Sequence, residues 1–331
     1  MTTNLLKLSQ MKLLYSFLFG ICFLHSAFSQ TCCSGGVPLS NNIGLPILEK
    51  GSLQLGVFYD YNHLNTLQRG TEKLNDASRI RITHSALFNV GYSITDNFSV
   101  EGLFTWVNQR RRINQFGNSN FEQTFGLGDA ILIGKYRLVN SGLSEWSLGA
   151  GFKAPLGSTK KVNSQGFLIV ADLQPGSGAF DYILMSSYSK AFQFRRSLVA
   201  SSRIIYRMTG ENDDYLGSSI YEFGDELQVF LTVADQFLVG SSIVSPSLSL
   251  KYRNVVKDRI NQVELENTGG NWLFLIPNFG INLSPSITFS TNIEVPIYAN
   301  VQGTQLTPTF RVNSGFSIVL NSKNNLNKII Q

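Results

Sequence analysis

Phe125-Gly-Leu-Gly-Asp-Ala-Ile-Leu-Ile-Gly-Lys-Tyr-Arg-Leu-Val139 and its return, Glu145-Trp-Ser-Leu-Gly-Ala-Gly-Phe-Lys-Ala-Pro155, decide the fold. With a period of two, the outgoing run puts Ala130, Leu132, Gly134, Tyr136 and Leu138 on one face. The other face carries Asp129, Lys135 and Arg137, with Ile131 and Ile133 between them. The return run opposes Trp146, Leu148, Ala150, Phe152 and Ala154 to Ser147, Gly149, Gly151 and Lys153, after a tight turn over 140–144. Alternation of this kind predicts strands. An unbroken apolar face over roughly ten residues, with polar groups behind it, suits a wall between lipid and a polar interior.

The same unit recurs outward from this hairpin. Strands are expected over 52–61, 79–94, 98–109, 181–192, 196–208, 219–233, 237–253, 272–282, 286–298 and 306–320, about twelve in all. Ser186 interrupts the apolar face of its strand. The connections alternate between short (95–97, 140–144, 193–195, 234–236, 283–285) and long (110–123, 156–180, 209–218, 254–271). Short turns on one side and long loops on the other describe an antiparallel transmembrane β-barrel of the bacterial outer membrane, its even strand count returning both ends to the periplasm. Tyr92, Trp106, Tyr136, Trp146, Tyr206, Tyr252 and Trp272 fall near strand ends, where aromatic girdles are expected. A soluble sandwich would reverse the pattern, with charge outside.

Composition agrees with this reading: only 15% of the 331 residues are charged, against 43% hydrophobic and 12% aromatic. The net charge of +5 includes one dense basic run, Arg110-Arg-Arg112, so nucleic acid is not an expected partner. Residues 1–29 read as a cleaved signal peptide, with Met11 an alternative start and Ala27-Phe-Ser29 at the cleavage site. Residues 30–51, punctuated by Gly35-Gly36, Pro38, Gly44 and Pro46, form an irregular segment, either a plug in the barrel mouth or a leader. The barrel is expected over 52–320, with a tail over 321–331. Cys32 and Cys33 could make a strained vicinal disulfide, take a soft metal or pair with another chain. With no His or third Cys beside them, no metal centre or cofactor is expected. Catalysis has equally little support: His25 lies in the signal, His63 in a loop, and His84 points away from its neighbour Ser85.

The face opposite the apolar one holds the candidate lumen residues. These are Arg79, Arg81, Glu101, Asp129, Lys135, Arg137, Lys153, Arg203, Arg207, Glu226, Lys251, Glu294 and Arg311, joined by Asp181, Glu222 and Arg253. Charges in a narrow lumen either pair into a filler that closes the barrel, or line a pore whose positive excess favours anionic or amphipathic solutes.

Four segments carry a family pattern: Phe125-Gly-Leu-Gly-Asp129, Lys135-Tyr-Arg-Leu138, Gly151-Phe-Lys-Ala-Pro-Leu-Gly157 and Leu173-Gln-Pro-Gly-Ser-Gly178. They resemble the outer-membrane β-barrels labelled after the meta-pathway of phenol degradation, a family distantly similar to the long-chain fatty-acid and hydrophobic-compound transporters. The resemblance covers roughly 125–192 and implies an outer-membrane channel or transporter, not phenol as its solute. One departure is the tail after Leu320, where such barrels commonly end on an aromatic residue. The expected function is passive passage of a small hydrophobic or amphipathic solute, with outer-membrane lipid as the other partner and the oligomeric state open. The alternative is a structural or adhesive barrel with a filled lumen and partner-binding loops.

Overall fold

Alternation in the sequence becomes a wall because each strand has only one face that lipid will accept. The computed structural model describes residues 43–115 and 117–320. The expected signal, Cys32, Cys33 and the tail after Leu320 lie outside the described residues. The wall is built from Leu53–Gly70, Arg79–Ser93, Phe98–Gln115, Ala130–Asn140, Ser144–Ala154, Asp181–Phe192, Arg195–Met208, Glu226–Ala234, Ser242–Val255, Gly270–Ser284 and Ile287–Leu320. Every neighbouring pair is antiparallel, and Leu53–Gly70 pairs with the last run, so the sheet closes on itself.

The last run, 34 residues long, crosses the wall twice. Its residues 287–301 pair with Gly270–Ser284, and 304–320 pair with Leu53–Gly70. The Thr291 and Ser314 hydroxyls lie 2.6 Å apart and the Phe289 and Phe316 rings 5.2 Å apart, so the two halves face each other. Gly303 makes the reversal at φ +68°, in the left-handed region that glycine enters freely. Among the described residues, eleven runs therefore give the expected twelve crossings.

Outward residues form the apolar belt: Leu132, Tyr136, Phe104 and Phe279 are all exposed. Of the seven aromatics expected in the girdles, Tyr92, Trp106, Tyr136, Trp146, Tyr206 and Tyr252 point outward. Trp272 does not. It is 0% exposed, inside the barrel with the Arg253 guanidinium 5.3 Å from its ring. It shares the parity of Asn278 and Asn282, so alternation itself sends it inward. Ser186, the interruption on the outer face, accepts a 3.1 Å hydrogen bond from the Trp146 indole.

Three expected strands are built differently. Asn118–Leu127 and Ala130–Asn140 both pair with Phe98–Gln115, so they are one strand broken at Gly128-Asp129. A Cβ at position 128 would collide with the Thr105 side chain. The run 219–233 divides, and Ser219–Glu222 leaves the wall to join Glu211–Tyr215, Arg259–Ile260 and Val263–Glu264 in a four-stranded cap over the long-loop end. The break falls at Gly224, pressed against the Val256 carbonyl, and at Asp225, whose carboxylate accepts the Thr209 N–H at 2.8 Å. Glu222 is consequently outside the lumen, 3.5 Å from Arg259. The run 237–253 reverses at Gly240 (φ +61°), leaving Phe237–Val239 on the preceding strand's side.

Candidate functional site

At the short-turn end, residues 43–50 run inside the barrel as an extended strap. Gly44 at φ +94° and Pro46, which has no N–H, keep it from coiling. Its amides meet acids: Lys50 N donates to Asp96 at 2.8 Å, Leu45 N to Glu101 at 3.0 Å and Gly44 N to Glu101 at 3.1 Å. Its carbonyls meet bases, since Lys135, Arg137 and Arg203 donate to the carbonyls of Leu45, Ile47 and Ile43. Lys135 and Glu101 also pair with each other at 2.8 Å, and Arg137 pairs with Glu145 at 3.2 Å. The strap therefore uses the wall charges as its own hydrogen-bond partners.

Above the strap the lumen turns apolar. Phe58, Leu87, Leu103, Ile131, Ile133, Ile183, Met185, Ile205, Phe230, Trp272, Phe274 and Ile276 form one buried cluster, which Ile43 caps from below. Parity alone predicted a more uniformly polar interior. The difference arises because several strands, such as 270–276, carry apolar side chains on both faces.

An ion-pair belt crosses six adjacent strands near the long-loop end. Asp129 meets Lys153 at 3.0 Å, and Lys153 meets Asp181 at 3.0 Å. Arg207 lies 3.8 Å from Asp181 and 2.8 Å from Glu226, which meets Arg253 at 2.6 Å. Two further pairs sit apart, Lys251 with Glu294 at 3.1 Å and Arg311 with Asp60 at 2.8 Å. Arg79 is half-buried at the rim and joins none of the described ion pairs.

The loop between Ala154 and Asp181 folds down into the mouth, and the quoted motifs explain how. The Asp129 carboxylate accepts from the Ser177 N–H (3.0 Å), the Ser177 hydroxyl (2.7 Å), Lys153 (3.0 Å) and the Gly157 N–H (3.1 Å). Three motifs distant in sequence thus converge on one carboxylate. Gly157 and Gly176 touch backbone to backbone there: a Cβ on Gly157 would stand 2.5 Å from Gly176 Cα. Further in, the turn Ala171–Leu173 presents Asp172 to Arg81 at 2.9 Å. Gln109 donates to the Gln174 carbonyl at 3.0 Å. Asp172, Gln109, Asp60 and Ser177 were not singled out from the sequence. Only Ser177, inside a quoted motif, carried a signal; the others depend on which loop enters the lumen.

In the cap, Asp258 accepts from the Tyr221 hydroxyl (2.7 Å) and the Gly224 N–H (2.9 Å). Burial, with Asp172 nearby, pushes its carboxyl up to about 6, and burial likewise raises the Tyr221 phenol. His63 and His84 face outward among aromatics, His84 2.6 Å from the Tyr59 hydroxyl and His63 stacked on Phe310. Among the described residues no group of His, Cys, Asp and Glu is arranged to hold a metal ion.

Comparison with solved structures finds the same fold. The COG4313 outer membrane channel from Pseudomonas putida F1 matches over 86% of this chain and 100% of its own, at 15% identity and a TM-score of 0.66. The CymD monoaromatic hydrocarbon channel (8% identity, 83% of this chain and 90% of its own, TM-score 0.41) and the Ralstonia pickettii toluene transporter TbuX (8%, 82% and 90%, 0.36) are more remote. Comparison with curated proteins gives no match. The closed wall and its apolar belt are those of a protein of the bacterial outer membrane. The family model described as "Putative MetA-pathway of phenol degradation" matches residues 76–295, and the chain belongs to that family.

Proposed function

We propose that the barrel passes a small hydrophobic or amphipathic solute across the outer membrane without transforming it. The buried apolar layer of the lumen, from Phe58 and Leu103 to Trp272 and Phe274, carries this reading. A water-filled pore gains nothing from such a lining, whereas an apolar solute leaving water does. The charges above and below the layer would orient a polar end. The similar Pseudomonas putida protein is by its own description a channel. No catalytic step is proposed, since His63 and His84 lie on the outer face, against Phe310 and Tyr59, rather than on the lumen face.

The strap is proposed as the stopper of this passage. It is held by hydrogen bonds to Glu101, Lys135, Arg137 and Arg203, so it can withdraw toward the periplasm without a covalent change. The filled-lumen reading has two observations in its favour: the belt from Asp129 to Arg253 pairs its charges with each other, and the side chains of the apolar layer are almost fully buried against one another. Planar-bilayer conductance and solute uptake into liposomes separate the two. Deleting residues 31–49 should raise both, while Cys32 and Cys33 in the intact chain should label slowly with a bulky thiol reagent until the protein is denatured. Silence of both intact and deleted chains in both assays would leave the structural barrel as the correct reading.

A further inference from the structure

Arg111 and its two neighbours divide between the faces of one strand. Arg111 turns inward and pairs with Glu122. Arg110 and Arg112 turn outward, are exposed, and have no ion-pair or hydrogen-bond partner among the described residues. In register, Arg110 lies between Ile82 and Gln123, and Arg112 between Ile80 and Phe121. Lys161 comes from the next loop and holds its ammonium over the outward Phe125 ring, 5.5 Å from the centroid. Phe125 is opposite Asn108, so the three cations share one face only two strands wide. No carboxylate points outward from these strand segments, because Glu122 is taken by Arg111 on the other side.

Their height is set by the belt beneath them. Trp106 is the last outward apolar residue of its strand, and Tyr59, Tyr61, His84 and Phe310 continue the amphipathic ring beside it. Such rings mark the membrane–water boundary. Arg110 and Arg112 stand four and six residues further on, about 13 and 20 Å along a tilted strand. This is the long-loop end, which faces the cell exterior. Two unpaired guanidiniums and an ammonium thus face the headgroup layer of the outer leaflet. In that leaflet the headgroups are phosphorylated sugars, and guanidinium binds phosphate bidentately.

We propose that Arg110, Arg112 and Lys161 form a docking site for the phosphates of the phosphorylated glycolipid of the outer leaflet. The site would fix the hairpin of Phe98–Gln115 and Asn118–Leu127 against the membrane surface, beside the loop that enters the barrel mouth.

The test uses the full chain in detergent, titrated with bis-phosphorylated lipid A, with its dephosphorylated form and with phosphatidylglycerol, followed by native mass spectrometry. The intact chain should bind the bis-phosphorylated lipid about tenfold tighter than the dephosphorylated form. Arg110→Glu with Arg112→Glu should abolish that margin, and Arg110→Gln with Arg112→Gln should reduce it. Lys190→Glu with Arg196→Glu, at exposed positions near the short turns, should leave it unchanged. Heat-shifted gel mobility confirms that each variant is folded. Equal affinity with and without phosphate overturns the proposal, as does an equal loss in the Lys190/Arg196 variant. Phosphatidylglycerol binding as tightly as lipid A overturns the choice of glycolipid.

Discussion

Replacing Asp129 by Ala should release the loop that fills the barrel mouth. The carboxylate is 0% exposed and accepts four hydrogen bonds, two from backbone amides of the loop and one from Lys153. Removing one partner of a buried ion pair costs about 3–5 kcal/mol. Lys153 keeps Asp181 at 3.0 Å, which holds the effect near the lower end, about 3 kcal/mol. The Gly157 and Ser177 amides lose their acceptor, so the cost falls on the loop rather than on the wall, whose strands keep their own ladder. At 1.4 kcal/mol per tenfold, the open population of the loop should rise about 100-fold. The assay places a cysteine at Ala179, which is 3% exposed, in a background where Cys32 and Cys33 are Ser. The rate of labelling by a small thiol reagent should then increase about 100-fold when Asp129→Ala is added. A rate within about threefold of the parent would show that the convergence of the three motifs contributes little to holding the loop.

The same labelling should report Gly176→Ala, whose new methyl meets the Gly157 backbone, at a cost of about 1–3 kcal/mol; unchanged labelling would mean the contact is slack. Phe279→Arg, on the lipid face, should destabilise the barrel by about 2–4 kcal/mol in urea titrations if the site lies near the midplane. Asn282→Arg, facing inward, should cost much less, and equal costs would refute the assignment of faces. Ser147 is a poorer control, since it is buried opposite Arg137. Asp258 supplies a pH dependence. Its folded value near 6 exceeds the unfolded 3.8, so its contribution to the cap is complete below about pH 4 and is lost as pH rises through about 6. The change is about 3 kcal/mol. Hydrogen exchange over 219–222 and 259–260, corrected for intrinsic rates, should therefore accelerate as pH rises from about 4 to about 6 and level off above that, and Asp258→Asn should flatten the response. Protection that instead grows with pH would contradict this assignment.

The wall was legible because a lipid-facing strand must alternate, with interruptions as rare as Ser186, whose hydroxyl is satisfied by the Trp146 indole. Hence 79–94 and 181–192 were placed nearly to the residue, while 52–61 and 98–109 stopped short of Gly70 and Gln115. Beyond the membrane the strands continue, and there polar residues such as Asn62, Arg69 and Asn114 pair by backbone hydrogen bonds without an apolar signature. Parity offers lumen candidates but says nothing of their pairing. Asp129, Lys153 and Arg207 could be assigned to a face one strand at a time, whereas their partners depend on the stagger of six strands. Asp172 was invisible for a different reason: nothing local in the loop says that it turns inward to meet Arg81. The departure of Ser219–Glu222 from the wall was likewise decided by the remote contact between Gly224 and Val256.

The pairing of Leu53–Gly70 with 304–320 bears on how the chain is made. The earliest wall strand waits for the latest one, with Leu53 opposite Leu320. Until the last hairpin docks, both margins of the assembling sheet display unbonded amides and carbonyls over their whole length, and no shorter set of strands can hide them. The last hairpin therefore has the role of a clasp, and premature release of the polypeptide before residue 304 would produce a sticky ribbon rather than a smaller barrel. Contacts so far apart in the chain also form slowly. Partial products should accumulate with chaperones, and insertion should be all-or-none.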